Sequence, residues 1–342
     1  MLKIFDRSRR SNEKIAETIF VPTIVLASLL SLLAFWHKST IKIVGPDSIG
    51  LAMLVAGIVI CLLVFPPVYI YGVNHGQERL SNKQLIFNVI TLTIASAIMI
   101  AMVTAIGVWL FNAAFQDLGL DKYTSSIIVG TYSAGLVYVL VPAAIAMNTK
   151  RIVSMFSVVM ISGVMLSMIT AGNPLWWQEN FSSLGTQSGL SALAFNFTLI
   201  LSGFILITLS SHMLEDVKLI KHGPKNKPNI KLLKILFIFV GLCMAGVGFF
   251  PYDRAPLLHN LSAYSMVLGF GVIVLGLKKI LPFIDAAFLT NSYFALGAIL
   301  ISYILFSRVG YLNLTAFEML AFGITFAWLL MFTRKVSSYM AS

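Results

Sequence analysis

Apolar residues gather along the chain in ten blocks, near 16–36, 48–73, 85–115, 126–148, 152–170, 189–211, 232–250, 259–277, 282–306 and 312–333, with short polar connections between them. A helix rising about 1.5 Å per residue needs about 20 such residues to cross a hydrocarbon layer of about 30 Å. Barrel strands would instead show as alternating segments of about ten residues. The pattern therefore predicts an all-α fold, a polytopic integral membrane helix bundle of about ten transmembrane helices. These spans and their loops use almost the whole length, leaving no room for a soluble catalytic domain.

Composition agrees with the pattern. Of 342 residues, 58% are hydrophobic and 11% charged, and the mean hydropathy is +0.90. Soluble domains carry about 25% charged residues, so this chain lacks the polar material to cover a water-facing surface. The first block follows Lys3, Arg7, Arg9, Arg10 and Lys14, as in a secretory leader. It runs on to Phe35-Trp36-His37-Lys38 without a small-x-small cleavage site, and is read as a retained helix.

The formal net charge of +11 is a topology signal. With the N-terminus inside, nineteen of the 24 Lys and Arg fall in the start, 74–84, 148–151, 212–234, 278–279 and 334–335. The opposite loops keep only Lys38, Lys42, Lys122, Arg254 and Arg308. Both termini are expected to be cytoplasmic, in a cell membrane. The basic loop 212–231 is an ordinary inner-side anchor, and nucleic acid is not indicated as a partner.

The chain changes character near residue 150. Residues 1–150 form an expected four-helix membrane unit poor in polar groups, and 151–342 an expected six-helix unit holding the more specific polar segments. Three of these lie on the expected outer side. The loop after the fifth block reads Asn173-Pro174-Leu175-Trp176-Trp177-Gln178-Glu179-Asn180-Phe181-Ser182-Ser183-Leu184-Gly185, with Trp176 and Trp177 placed as an interfacial belt. The exit from the seventh block, Gly248-Phe249-Phe250-Pro251-Tyr252-Asp253-Arg254-Ala255-Pro256, leads straight to His259-Asn260. Gly241, Ala245 and Gly248 recur on one face of that helix, so it can approach a neighbour closely. Two prolines shorten the connection and hold Asp253 and His259 near each other, the alternative being an Asp253–Arg254 contact or a helix cap with His259 as an interfacial residue. A carboxylate that orients an imidazole makes an acid/base pair, and these two are the candidate catalytic residues.

Third come polar groups about 10 Å inside the outer boundary, Asn196 and Glu318. A carboxylate at that depth costs several kcal/mol unless it is paired, protonated or wet, which makes Glu318 a functional candidate. Glu179, Ser183, Asn196, Arg254, Asn260 and Glu318 are accordingly the candidate substrate-binding residues. Asp285 reads as an end-of-helix charge. The five histidines form no pair at opposite depths, and neither a phosphate-binding glycine loop nor a nucleophile elbow occurs. Cys61 and Cys243 lie in apolar runs. No metal and no cofactor is expected.

On Asn180-Phe181-Ser182-Ser183-Leu184-Gly185, Phe195-Asn196, Gly203, Gly246-Val247-Gly248-Phe249-Phe250-Pro251-Tyr252-Asp253 and His259-Asn260, the last 190 or so residues resemble the bacterial domain-of-unknown-function 998 family. The resemblance implies six spans and a shared outer site of Ser183, Gly185, Asn196, Pro251, Asp253 and His259. It implies no particular activity, and it does not extend to the first four helices.

Together these features predict an outward-facing polar pocket that binds or processes a lipid, a lipid-linked molecule or another amphipathic compound at the outer leaflet, with membrane lipids as partners. Two other classes fit the composition: a secondary transporter or lipid-moving protein, and a non-catalytic subunit that docks another membrane protein. Transport would place ionisable groups near mid-depth on broken helices. Pro66-Pro67 and Pro142 could break helices, but toward the inner side.

Overall fold

The structure is a computed structural model and describes residues 2–76, 80–219 and 228–341. Arg79, Lys221, Lys225 and Lys227 of the expected basic loops lie outside the described residues. Ten helices among those described are long and apolar enough to cross a membrane, and they fall on the ten predicted blocks. The protein is an all-α, multi-pass membrane bundle. By contact the chain divides into two compact units, Met1–Met147 and Asn148–Ser342.

The first unit holds α1 (Leu2–Ala34), α2 (Ile49–His75), α3 (Asn82–Ala114) and α4 (Lys122–Ile145). Its one sheet is a two-residue ladder, β1 (Ile41–Lys42) antiparallel to β2 (Gly119–Leu120), which ties the α1–α2 loop to the α3–α4 loop. Ser81 opens α3 with a capping box, and Asp121 caps α4 by accepting from the amides of Tyr123 and Thr124. Glycines let the helices touch: a Cβ on Gly130 would lie 2.8 Å from the Ile24 carbonyl, and one on Gly72 only 2.3 Å from that of Ile145. Pro66, Pro67 and Pro142 do not interrupt α2 or α4, which run through them. The helix breaks considered for a transporter are absent at these positions.

The second unit holds α5 (Thr149–Ile169), α6 (Leu190–Leu219), α7 (Ile230–Phe249), α8 (Pro256–Ile280), α9 (Ala286–Ser307) and α10 (Leu314–Ala341). Consecutive helices are antiparallel, as their paired contacts show. Ser167 of α5 bonds Ser191 of α6. Gly203 and Gly241 meet so closely that a Cβ on either would lie 2.4 or 2.7 Å from the other's carbonyl oxygen, and a Cβ on Gly248 would lie 2.4 Å from that of Asn196. The small-residue face expected on α7 thus packs on α6. The last helix pair is pinned by Trp328, whose Nε1–H donates to Ser292 Oγ at 2.9 Å.

The α6 helix runs eight residues past its predicted block, because 212–219 contain neither Gly nor Pro to stop it. At that end Asp285 caps α9 through the Phe288 amide, pairs with Lys335 and accepts from Tyr339 Oη. These partners, the Lys335 ammonium foremost, hold its carboxyl down at about 2.

Aromatic rings close this same half of the unit. Phe270, Trp328, Phe332, Phe288 and Phe237 stack or meet edge-on at 5.0–6.3 Å. Toward the other end, where α5 finishes and α10 begins, the helices part around a cavity.

Candidate functional site

That cavity has a volume of about 340 Å³ and lies wholly within the second unit. Its lining on α8 runs from His259 to Ile273 and on α10 from Leu314 to Leu329, a length of about 21 Å at the helical rise. Phe156, Phe195, Leu199, Phe237, Val240, Met244 and Val247 of α5, α6 and α7 make further wall, and Phe270 and Trp328 reach it from the aromatic cluster. Tyr264, 72% exposed, and Val267 line it as well, so on α8 the cavity wall is shared with the surface of the unit. Most polar groups lie toward one end of this largely apolar space, Asn180, Ser182, His259, Asn260 and Glu318, while Thr325 stands two turns deeper on α10.

The segment between α5 and α6 is built to hold Ser182 there. It folds into two 3-10 turns, Trp176–Gln178 and Phe181–Gly185. Phe181 is the anchor, buried edge-on against Phe195 at 5.3 Å and beside Phe322 and Trp176. Its backbone N–H donates to Glu318 Oε2 at 2.6 Å, and Asn313 Nδ2 donates to the Trp177 carbonyl at 3.1 Å. These two bonds fasten the segment to α10. On the α6 side Asn196 Nδ2 donates to the Gly185 carbonyl at 2.8 Å, and a Cβ on Gly185 would lie 2.5 Å from Asn196 Oδ1.

The α7–α8 connection supplies the second half. Phe250 closes α7, Pro251–Ala255 turn back on the Pro251 carbonyl, and Pro256 starts α8. One turn into α8, His259 is 4% exposed. Its Nδ1 meets the Phe250 carbonyl at 2.9 Å and its Nε2 meets Ser182 Oγ at 3.0 Å. A carbonyl only accepts, so Nδ1 carries the proton and donates to it. In the neutral ring Nε2 is then the lone-pair nitrogen, and Ser182 Oγ–H donates to it. Tyr252 packs edge-on against the imidazole at 5.7 Å.

Of the residues expected from the sequence, His259, Asn260 and Glu318 line the cavity. The expected pairing of Asp253 with His259 does not form. The imidazole nitrogens are taken by Phe250 and Ser182, while Asp253 lies on the turn 3.9 Å from Arg254 Nε, with side chains 46% and 82% exposed respectively. The prolines bring Asp253 near in sequence but turn it outward. Ser183 is buried and bonds its own turn, donating to the Asn180 carbonyl at 2.7 Å. Glu179 is exposed, 3.5 Å from Asn173 Nδ2. Asn196 serves the loop. Asp253, Arg254, Ser183, Glu179 and Asn196 are therefore not among the lining residues.

Ser182 takes the place expected for Ser183. Ser183 turns its hydroxyl back onto the Asn180 and Trp176 carbonyls, and its neighbour Ser182 meets His259 at the cavity. That arrangement is set by Phe181 and Glu318, and the sequence carries no sign of it. Trp177 is 47% exposed, in keeping with an interfacial residue, whereas Trp176 packs on Phe181. Among the described residues no three His, Cys, Asp or Glu side chains gather as a metal site.

Comparison with family models, with curated proteins and with solved structures finds no match to this chain.

Proposed function

We propose that the second unit is a receptor for an amphipathic molecule of the membrane, one acyl chain lying in the cavity and the polar head beside Ser182, His259, Asn260 and Glu318. One observation carries this reading: most of the polar side chains stand at one end of a space whose wall, apart from Tyr264 and Thr325, is apolar for about 20 Å along two helices. A small polar solute would leave that wall unused, and a pure hydrocarbon would leave the polar end unpaired. The exposure of the lining residues Tyr264 and Val267 on a membrane-spanning helix supports entry from the bilayer.

The loop charges support the outer leaflet as the place where the polar end lies, because the connections on that side hold only five of the 24 Lys and Arg. The likeness of 151–342 to the domain-of-unknown-function 998 family accords with a six-helix unit bearing its site on that side. The test is native mass spectrometry of the protein released from its membrane, with Ala321→Trp as the filled-cavity variant. The wild type is expected to carry a bound lipid that Ala321→Trp loses. Equal lipid on both would overturn the reading.

A further inference from the structure

We propose that Ser182 is a nucleophile that accepts an acyl group from a long-chain carboxylic ester bound in the cavity, with His259 as its general base; this rests on the amphiphile-receptor reading. The geometry is that of an activated hydroxyl. Ser182 Oγ is 3.0 Å from His259 Nε2, and the opposite nitrogen is fixed at 2.9 Å on the Phe250 carbonyl, which sets the tautomer. A nucleophile, a base within hydrogen-bond reach and a third group orienting the base are the three parts such chemistry needs. Here the third is a backbone carbonyl instead of a carboxylate.

The surroundings fit an acyl donor. Ser182 and His259 both line the cavity, so an ester carbonyl between an acyl chain in the apolar space and a head at the polar end comes to Ser182 Oγ. Asn180 lines the cavity too, and its buried Oδ1 has no hydrogen-bond partner among the described residues. Asn180 Oδ1 is an acceptor and can meet only a donor on the ligand, such as a hydroxyl of the head, whereas the Nδ2 groups of the lining residues Asn180 and Asn260 are the neutral donors for a developing oxyanion.

The steps balance with water as the second substrate. Ser182 Oγ bonds to the ester carbonyl carbon while its proton passes to His259 Nε2. The carbon–oxygen bond to the alcohol then breaks, and the alcohol leaves with that proton. Water next attacks the acyl-serine and gives a proton to His259 Nε2. The Oγ–acyl bond breaks, Oγ regains the proton, and a free fatty acid departs. The positioning residues are Phe250, through its carbonyl, and Glu318, which holds the amide next to Ser182.

The test uses the full chain in membrane vesicles with two probes, a long-chain alkyl fluorophosphonate, which reacts with activated serines, and a photoactivatable fatty acyl phospholipid. Expected is phosphonylation of the wild type at Ser182, none in Ser182→Ala, and labelling at least about 100-fold slower in His259→Gln. The wild type should crosslink the photolipid at cavity residues, and all three proteins should elute as the same monodisperse species in size-exclusion chromatography, which shows that they are folded. Photolipid crosslinking without phosphonylation of the wild type, or with equal labelling in Ser182→Ala, overturns the nucleophile and leaves the receptor standing. Loss of wild-type crosslinking at the cavity overturns the receptor reading and the nucleophile with it.

Discussion

The backbone amide of Phe181 donates to Glu318 Oε2 at 2.6 Å across 137 residues of sequence. One intramembrane carboxylate thereby fixes the turn that presents Ser182. The bond explains why a costly acid persists at this depth: it closes the loop over the cavity and meets an N–H at the start of a short 3-10 turn that no side chain caps.

Replacing the acceptor separates hydrogen bonding from charge. Glu318→Gln keeps a carbonyl oxygen for the Phe181 amide and should melt close to wild type in detergent. Glu318→Leu leaves that amide unpaired and should cost about 1–3 kcal/mol. Limited proteolysis of 175–187 should quicken in the leucine variant only. Equal melting of the two variants would contradict this.

The turn residues separate proximity in sequence from contact. Asp253→Ala and Arg254→Ala remove exposed groups held 3.9 Å apart, and such pairs contribute about 0–1 kcal/mol. Lipid retained on purification should be unchanged in both. His259→Ala, which removes the partner of Ser182 and of the Phe250 carbonyl, should lower both retention and melting temperature.

Helix contact in the second unit depends on missing side chains. Gly241→Val pushes a branched side chain against the Gly203 carbonyl, already 2.7 Å from a bare Cβ. It should destabilise by about 1–3 kcal/mol. Gly297→Ala on α9, where nothing lies within 4 Å, should be neutral or slightly stabilising by the helix propensity of alanine. Thermal melts of the two variants in one detergent check the contrast.

Acid should act on the other end of the unit. The Asp285 carboxyl is held at about 2, chiefly by Lys335, against about 3.9 in an unfolded chain. Its contribution is complete above the unfolded value and is lost as pH falls from about 4 through about 2. Because the pair faces solvent, the loss should be well under 1 kcal/mol. Asp285→Asn retains a capping oxygen and should flatten this part of the melting curve against pH.

The ten spans were legible in the chain itself, because burying backbone polar groups in hydrocarbon permits little except helices, and hydropathy alone marks where they run. The close face of α7 was legible too: Gly241, Ala245 and Gly248 stand at helical spacing, and an absent side chain needs no knowledge of its neighbour. Of the site, His259, Asn260 and Glu318 could be picked out as polar groups where polarity is expensive. Pairing was another matter. Asp253 is the nearer acid in sequence, yet the Pro251–Ala255 turn faces it outward and the Phe250 carbonyl meets the imidazole first. Ser182 and Ser183 are indistinguishable as residues. Only the phase of a 3-10 turn, set by Phe181 wedged among Phe195 and Phe322 and by a carboxylate 137 positions away, puts one of them on the histidine. Periodicity and hydropathy are local quantities written along the chain, whereas which donor faces which acceptor is settled by contacts between segments that come together only when the bundle packs.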